Sequence, residues 1–237
     1  MIKNILFDLD GTLINTLQDE LNKKYFEAVY KKLVDNDCDA AFLSKIIVDG
    51  IKAMIFNNGT LTNEEAFWKH FEDNSNMKRE EIKDVFDSFY LNEYDNLCDC
   101  VEVIEGMNEN IQLLKNKGYN LILSTNPLFP KMAIEKRASW GGIDCKSFSY
   151  ITSYENSSYS KPNINYYKEI INKNNLNIKE TMMFGNDLIE DLIIEELNIP
   201  CFIITNNMVN VNNVKKCTKK GDYNEFFSFI NNLPNLN

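Results

Sequence analysis

The sequence predicts an α/β protein, a parallel sheet flanked by helices with an all-helical segment inserted after the first strand. Three observations lead there. Short apolar runs of strand length recur, at Ile5-Leu6-Phe7, at Leu121-Ile122-Leu123, and over residues 181–184 and 201–204. From residue 101 onward they alternate with helical patterns, the rhythm of a parallel sheet covered on both faces. Residues 16–100, in contrast, carry apolar side chains at helical spacing and no convincing strand.

The first strand holds Ile2, Ile5, Leu6 and Phe7 and is cut off by Asp8-Leu9-Asp10-Gly11-Thr12. Asp8 and Asp10 share side-chain parity at the carboxyl end of a strand, where open α/β sheets keep their ligand crevice. Two carboxylates this close repel unless a cation or a shared proton compensates. An oxygen-rich site of this kind suits Mg²⁺. Gly11 lets the backbone approach a ligand closely, and Thr12 adds a hydroxyl.

The insert follows. Leu21, Tyr25, Phe26, Val29, Tyr30 and Leu33 recur at helical spacing, then Ala41, Phe42, Ile46 and Ile47, then Ile51, Met54 and Ile55. Thr62 with Glu65 makes a capping box ahead of Phe67, Trp68 and Phe71. Ile82, Val85, Phe86, Phe89 and Tyr90 form a further stripe. These predict four or five helices that form a cap over residues 16–100, beside an α/β core of residues 1–15 and 101–237. His70, the single histidine, reads as an exposed residue of the cap.

Beyond residue 101, Gly106 opens a helix through Ile111, Leu113 and Leu114 that stops at Gly118. The second strand ends in Ser124-Thr125-Asn126-Pro127, and a helix covers residues 131–137. Residues 149–153 read as a weak third strand, followed by a polar loop and Lys161-Pro162. A helix over 165–172 leads to the fourth strand, ended by Gly185-Asn186-Asp187. Residues 188–197 read as a helix containing Asp191, residues 201–204 as a fifth strand, and residues 223–230 as the last helix. Three strands thus end in polar residues on one edge of the sheet, so these groups can meet although far apart in sequence.

Composition narrows the partners. The 237 residues are 44% hydrophobic and 25% charged, ordinary for a globular protein. A net charge of −10 argues against nucleic acid or an anionic membrane as the main partner. No stretch approaches a membrane span, and the amino terminus lacks the pattern of a signal peptide. The expectation is therefore a cytoplasmic protein. The six cysteines (Cys38, Cys98, Cys100, Cys145, Cys201 and Cys217) are scattered, and Cys98-Asp99-Cys100 lacks zinc-motif spacing. All six read as free thiols.

Asp8-Leu9-Asp10-Gly11-Thr12 resembles the first motif of the haloacid dehalogenase-like (HAD) superfamily, and the later strand ends are similar to its remaining motifs in order. Thr125 falls at the second, with Ser124 the alternative by one residue. Lys161, followed by Pro162, falls at the third, although out of context it would be a surface turn. Gly185-Asn186-Asp187 with Asp191 falls at the fourth. There Asn186 intrudes, so the leading acidic position is Asn186 or Asp187; Asp187 is preferred because Asp191 follows it by four. The resemblance covers about residues 1–15 and 101–210, and the helical insert sits where one cap type of the family is found.

The resemblance implies a Rossmann-like core and a Mg²⁺-dependent phosphatase that hydrolyses a small phosphorylated metabolite through an aspartyl-phosphate. It implies Asp8 as nucleophile and Asp10 as acid and base. Phosphoryl oxygens would be held by Thr125, by Lys161 and by groups around Leu9, Gly11, Thr12 and Asn126. The metal would be bound by Asp8, by the Asp10 carbonyl and by Asp187 or Asn186, with Asp191 in support. Dehalogenases of the family lack the second aspartate of the first motif, so Asp10 argues against that activity. A sugar phosphomutase and a non-catalytic phospho-accepting or binding protein are the alternatives. Oligomeric state is left open.

Overall fold

The structure, a computed structural model of the chain, describes residues 1–212 and 219–237. Its centre is a six-stranded sheet. The chain supplies β1 (Asn4–Phe7), β4 (Asn120–Leu123), β5 (Tyr150–Ile151), β6 (Thr181–Gly185), β7 (Cys201–Ile204) and β8 (Lys219–Gly221) in the spatial order β5-β4-β1-β6-β7-β8. Every pairing in it is parallel. Two further short strands, β2 (Asn15–Thr16) and β3 (Val101–Glu102), pair antiparallel outside it.

The central position of β1 explains its unbroken apolar run, because both of its faces are covered. Ile5 and Phe7 join Leu121, Leu123, Met182 and Phe184 on one face. Leu6 joins Ile122 and Met183 on the other. Register carries this through the three strands, with Phe7 opposite both Leu123 and Phe184. Asp8 and Thr125 follow β1 and β4, and Asn186 follows β6, so one sheet edge collects all three ends.

The insert folds as α1 (Gln18–Asp35), α2 (Ala40–Ile55), α3 (Asn63–Ser75) and α4 (Arg79–Ser88), continued by helical turns at Phe89–Glu93 and Tyr94–Cys100. Its own core includes Leu21, Tyr25, Leu43, Phe67, Phe71 and Phe86. The two stripes at 41–47 and 51–55 are one helix, since Leu43, Ile46, Ile47, Gly50 and Met54 continue a single buried face. The capping box of Thr62 and Glu65 opens α3 as the sequence predicts. The two linkers to the sheet are the β2–β3 pair, and the Leu17 N–H donates to the Cys100 carbonyl at 2.9 Å.

A second junction ties insert to core. Asn63, wholly buried at the start of α3, donates through Nδ2 to the Pro127 carbonyl (3.0 Å) and to Ser160 Oγ (3.1 Å). Its Oδ1 accepts from Asn57 Nδ2 at 2.9 Å, and its N–H donates to the Ser157 carbonyl at 2.7 Å. Ser160 Oγ in turn donates to the Met54 carbonyl at 3.1 Å.

The remaining helices cover the sheet. α5 (Met107–Asn116), α6 (Lys131–Trp140) and α8 (Tyr223–Asn232) pack on the Phe7 face, and α7 (Ile164–Lys173) on the Leu6 face.

Four expectations change. Residues 188–197 do not form an α-helix; the chain turns there, and a 3₁₀ segment occupies only Leu192–Leu197. The Asp187 carboxylate accepts the N–H groups of Ile189 and Glu190 as an N-cap would, but after the Asp191 N–H reaches the Asp187 carbonyl at 3.1 Å the pairing tightens to 3₁₀, with the Ile194 N–H on the Asp191 carbonyl at 3.3 Å. The third strand shrinks to two residues. β8 is an added strand whose Lys-Lys-Gly sequence carries no apolar signature. His70 lies in α3 half-buried instead of exposed. Cys217 lies outside the described residues, while none of the other five cysteines forms a disulfide.

Candidate active site

Asp8 leaves the end of β1 into a buried ion network. Lys161 Nζ lies 2.7 Å from Asp8 Oδ1 and 2.6 Å from Asp191 Oδ1. The other Asp191 oxygen accepts the backbone N–H groups of Asn186 and Asp187, both at 3.0 Å. Gly185 makes this possible, because a Cβ there would stand 2.3 Å from Asp191 Oδ2. Asp191 therefore fixes both the lysine and the turn after β6. Burial pushes the Asp8 carboxyl up to about 8, against the pull of Lys161. Burial by itself would lower the Lys161 ammonium, but Asp191 and Asp8 outweigh it and hold it well above the usual lysine value.

Thr12 and Asn186 close the other side of Asp8. The Thr12 hydroxyl lies 3.2 Å from Asn186 Oδ1 and 3.5 Å from Asp8 Oδ2. Gly11, at φ +81°, brings the backbone against Asn186, where a Cβ would stand 2.3 Å from Nδ2. Asp187 turns elsewhere. Its Oδ1 accepts from the Ile189 N–H (2.7 Å) and the Glu190 N–H (2.9 Å), and Asn210 Nδ2 donates to both of its oxygens. Of the two residues left open by the sequence, Asn186 is the one beside Thr12 and Asp8.

Asp10 is held from two directions. Thr16 Oγ1 donates to Oδ1 at 2.7 Å, and Arg137 Nη1 donates to Oδ2 at 2.9 Å. Arg137 comes from α6, is 2% exposed, and lies with its guanidinium 4.9 Å from the centre of the Phe129 ring. Its Nε has no hydrogen-bond partner. Sequence reading missed this residue. A signal was present: the chain has only two arginines among its 25 basic residues, and this one falls in a helix beside the second motif.

Ser124 and Thr125 part company at the end of β4. Ser124 turns into the core and donates to the Phe7 carbonyl at 3.1 Å, whereas Thr125 faces the crevice. The Thr125 carbonyl is pinned by Tyr166 Oη (2.8 Å) and Thr152 Oγ1 (2.7 Å). Asn126 Oδ1 accepts the Lys161 N–H at 3.3 Å, and its Nδ2 lies 3.3 Å from Glu190 Oε2. The Leu9 side chain is core, and its carbonyl accepts the N–H groups of Thr12, Leu13 and Ile14.

Asp8, Asp10, Gly11, Thr125, Asn126, Asn186, Asp187 and Asp191 share one cavity of about 760 Å³, which extends under the insert. Its oxygen donors bear on the Mg²⁺ that the sequence implies. Among the described residues no group of three or more His, Cys, Asp or Glu is arranged to hold a metal ion. Asp8 Oδ2 and Asn186 Oδ1 nevertheless meet at the Thr12 hydroxyl, and both are hard oxygen donors. That chemistry fits Mg²⁺, which keeps several of its own waters.

The model of the haloacid dehalogenase-like hydrolases matches residues 2–194, and the chain belongs to that family. No curated protein matches it. Among solved structures, a HAD phosphatase from Thermococcus onnurineus superposes with a TM-score of 0.61 at 18% identity, covering 99% of this chain and 100% of its own. A predicted phosphoglycolate phosphatase from Haemophilus somnus superposes at 0.57 with 19% identity, over 96% and 97% of the two chains. The HAD-hydrolase YfnB from Bacillus subtilis, described as bound to magnesium with interdomain movement, superposes at 0.55 with 17% identity, over 98% and 100%. At these identities the likeness is one of fold. The chain is a HAD-like hydrolase. Among the described residues no helix is long and apolar enough to cross a membrane.

Proposed function

We propose that this hydrolase is a Mg²⁺-dependent phosphatase that cleaves a small-molecule phosphomonoester through an aspartyl-phosphate on Asp8. One observation carries the reading. Lys161 bridges Asp8 and Asp191 in a buried site, while Asp10 faces the same cavity in the grip of Thr16 and Arg137. This divides the labour between two carboxylates in different surroundings.

In the first step an Asp8 oxygen attacks phosphorus and the bond to the leaving oxygen breaks. Asp10, carrying a proton, gives it to that oxygen. In the second step Asp10 takes a proton from water as the water attacks phosphorus, and Asp8 regains its carboxylate as phosphate departs. Lys161 and Thr125 bear on the phosphoryl oxygens, the lysine as a fixed point charge. Asp191 positions Lys161 and the turn at Asn186. A bound Mg²⁺ would neutralise charge between Asp8 and the phosphoryl group, held by Asp8, the Asp10 carbonyl and Asn186. The helical insert serves as the cap that excludes water, with the paired linkers β2 and β3 as its hinge. The assignment of Asn186 ahead of Asp187 rests on the side-chain placements above.

The test is phosphate release from a panel of phosphomonoesters in Mg²⁺ and in EDTA, with wild type beside Asp8→Asn. Metal-dependent release that the substitution abolishes is the expected result. Full activity of Asp8→Asn would overturn the nucleophile assignment.

A further inference from the structure

The cavity has two unlike ends. At the sheet edge it is carboxylate-rich. Under the insert its wall is aromatic and aliphatic: Tyr25, Phe67, Trp68, Phe86 and Tyr90 from the helices, and Phe129 from the loop after β4. These rings are locked edge to face. Trp68 meets Phe86 with centroids 5.7 Å apart at 80°, and Tyr25 meets Phe129 at 5.4 Å and 80°.

Several polar groups of this upper wall pair with one another. The hydroxyls of Tyr25 and Tyr90 are 2.8 Å apart, and Gln18 Nε2 donates to Asn22 Oδ1 at 3.0 Å. The Trp68 Nε1–H is buried within the ring cluster and has no hydrogen-bond partner. Among the described residues the cavity has a single cationic lining residue, Arg137, which is already paired with Asp10.

We infer, resting on the phosphatase reading, that the substrate is a phosphomonoester of a flat, largely apolar alcohol. Its leaving alcohol carries an aromatic or heteroaromatic ring and no second anionic group. A polyol would lose its water to a wall that offers few free donors or acceptors. A second carboxylate would meet carboxylates and, among the described lining residues, no cation other than the Arg137 already paired with Asp10. A ring instead gains apolar burial and edge-to-face contacts.

The experiment compares primary alkyl phosphates, so that leaving-group acidity does not decide the ranking. The planar esters are 2-phenylethyl phosphate and pyridoxal 5′-phosphate; the others are glycerol 1-phosphate, glucose 6-phosphate and phosphoglycolate. Turnover is measured with wild type, and binding to Asp8→Asn by calorimetry in Mg²⁺. The inference expects the planar esters to lead by about tenfold or more in kcat/KM and in affinity. Turnover led by glucose 6-phosphate, glycerol 1-phosphate or phosphoglycolate would overturn the substrate class and leave the phosphatase reading standing. Preferential binding of the planar esters without turnover of any ester would uphold the class and overturn the reaction. Absence of both turnover and saturable binding would overturn both.

Discussion

Arg137 Nη1 lies 2.9 Å from Asp10 Oδ2, across 127 residues of chain, and fixes the carboxylate that Thr16 holds from the other side. The guanidinium packs on Phe129 and is almost wholly buried, so it has one orientation to offer. In the proposed reaction it acts through Asp10, as a positioning residue. Arg137→Lys keeps the charge and loses the planar fork. It should lower kcat by about tenfold or more with little change in KM, and most for esters with poor leaving groups. Steady-state kinetics on aryl and alkyl phosphates check this. An equal loss for both kinds of ester would place Arg137 in general support of the fold.

Asp8 carries a prediction about stability and pH. Its carboxyl is raised in the folded chain, to about 8 from an ordinary 3.8. Between those values the folded state binds a proton that the unfolded state has lost, so the contribution of Asp8 to stability falls as pH rises through that window and then levels off. Without metal, Asp8→Asn should therefore gain in Tm relative to wild type between pH 5 and pH 8, by roughly a few degrees. Thermal unfolding in EDTA across that range measures it. A difference independent of pH would contradict the burial account.

How much of this was legible follows from where the partners lie. Asp8, Asp10, Gly11 and Thr12 are contiguous, so strand end and turn chemistry declare themselves together. Lys161 and Asp191 are distant, but each falls beside a recognisable strand or helix boundary. The pairing of Arg137 with Asp10 has no local pattern, because a helix residue reaches a strand end only after the sheet forms. Asn63 carries no signal of its own inside the capping box of Thr62 and Glu65, because its role in joining insert to core depends on Pro127 and Ser160. β8 was hidden because an edge strand of Lys-Lys-Gly has no alternation to detect. The helix expected over 188–197 gave way to a turn capped by Asp187 and a 3₁₀ segment at Leu192–Leu197, a tightening that periodicity alone does not register.

Asn63 makes the closed junction testable. Removing its amide takes one hydrogen bond each from Asn57 Nδ2, the Pro127 carbonyl and Ser160 Oγ, of which Asn57 keeps the Leu61 carbonyl and Ser160 the Met54 carbonyl. Asn63→Ala should cost roughly 1–3 kcal/mol and lower Tm by about 5 °C. It should also increase hydrogen exchange in the loop before Lys161, where Ser157 accepts the Asn63 N–H. Unchanged exchange there would show that the junction does not hold insert and core together.

Asn186 predicts a weak metal site that one substitution strengthens. With Asn186 in place, Asp8 is the one carboxylate in the proposed set, and Lys161 competes for it. Asn186→Asp adds a second carboxylate at the same position and should lower the Mg²⁺ Kd by about tenfold or more. Calorimetry, or the rise of Tm with Mg²⁺ concentration, reads this directly. Asp187→Asn should leave Mg²⁺ affinity within about threefold while destabilising its turn. The reverse ranking would move the ligand to Asp187.

The central claim is a phosphoryl group covalently carried by Asp8, and trapping it is the most direct measurement. Asp10→Asn slows the second step and should let the intermediate accumulate on a turned-over phosphomonoester. Acid quenching, borohydride reduction and peptide mass analysis should then find the Asp8 side chain reduced to an alcohol, and only in samples given substrate. Turnover by the wild type, with no modification at Asp8 or with the label on another carboxylate, would contradict the account.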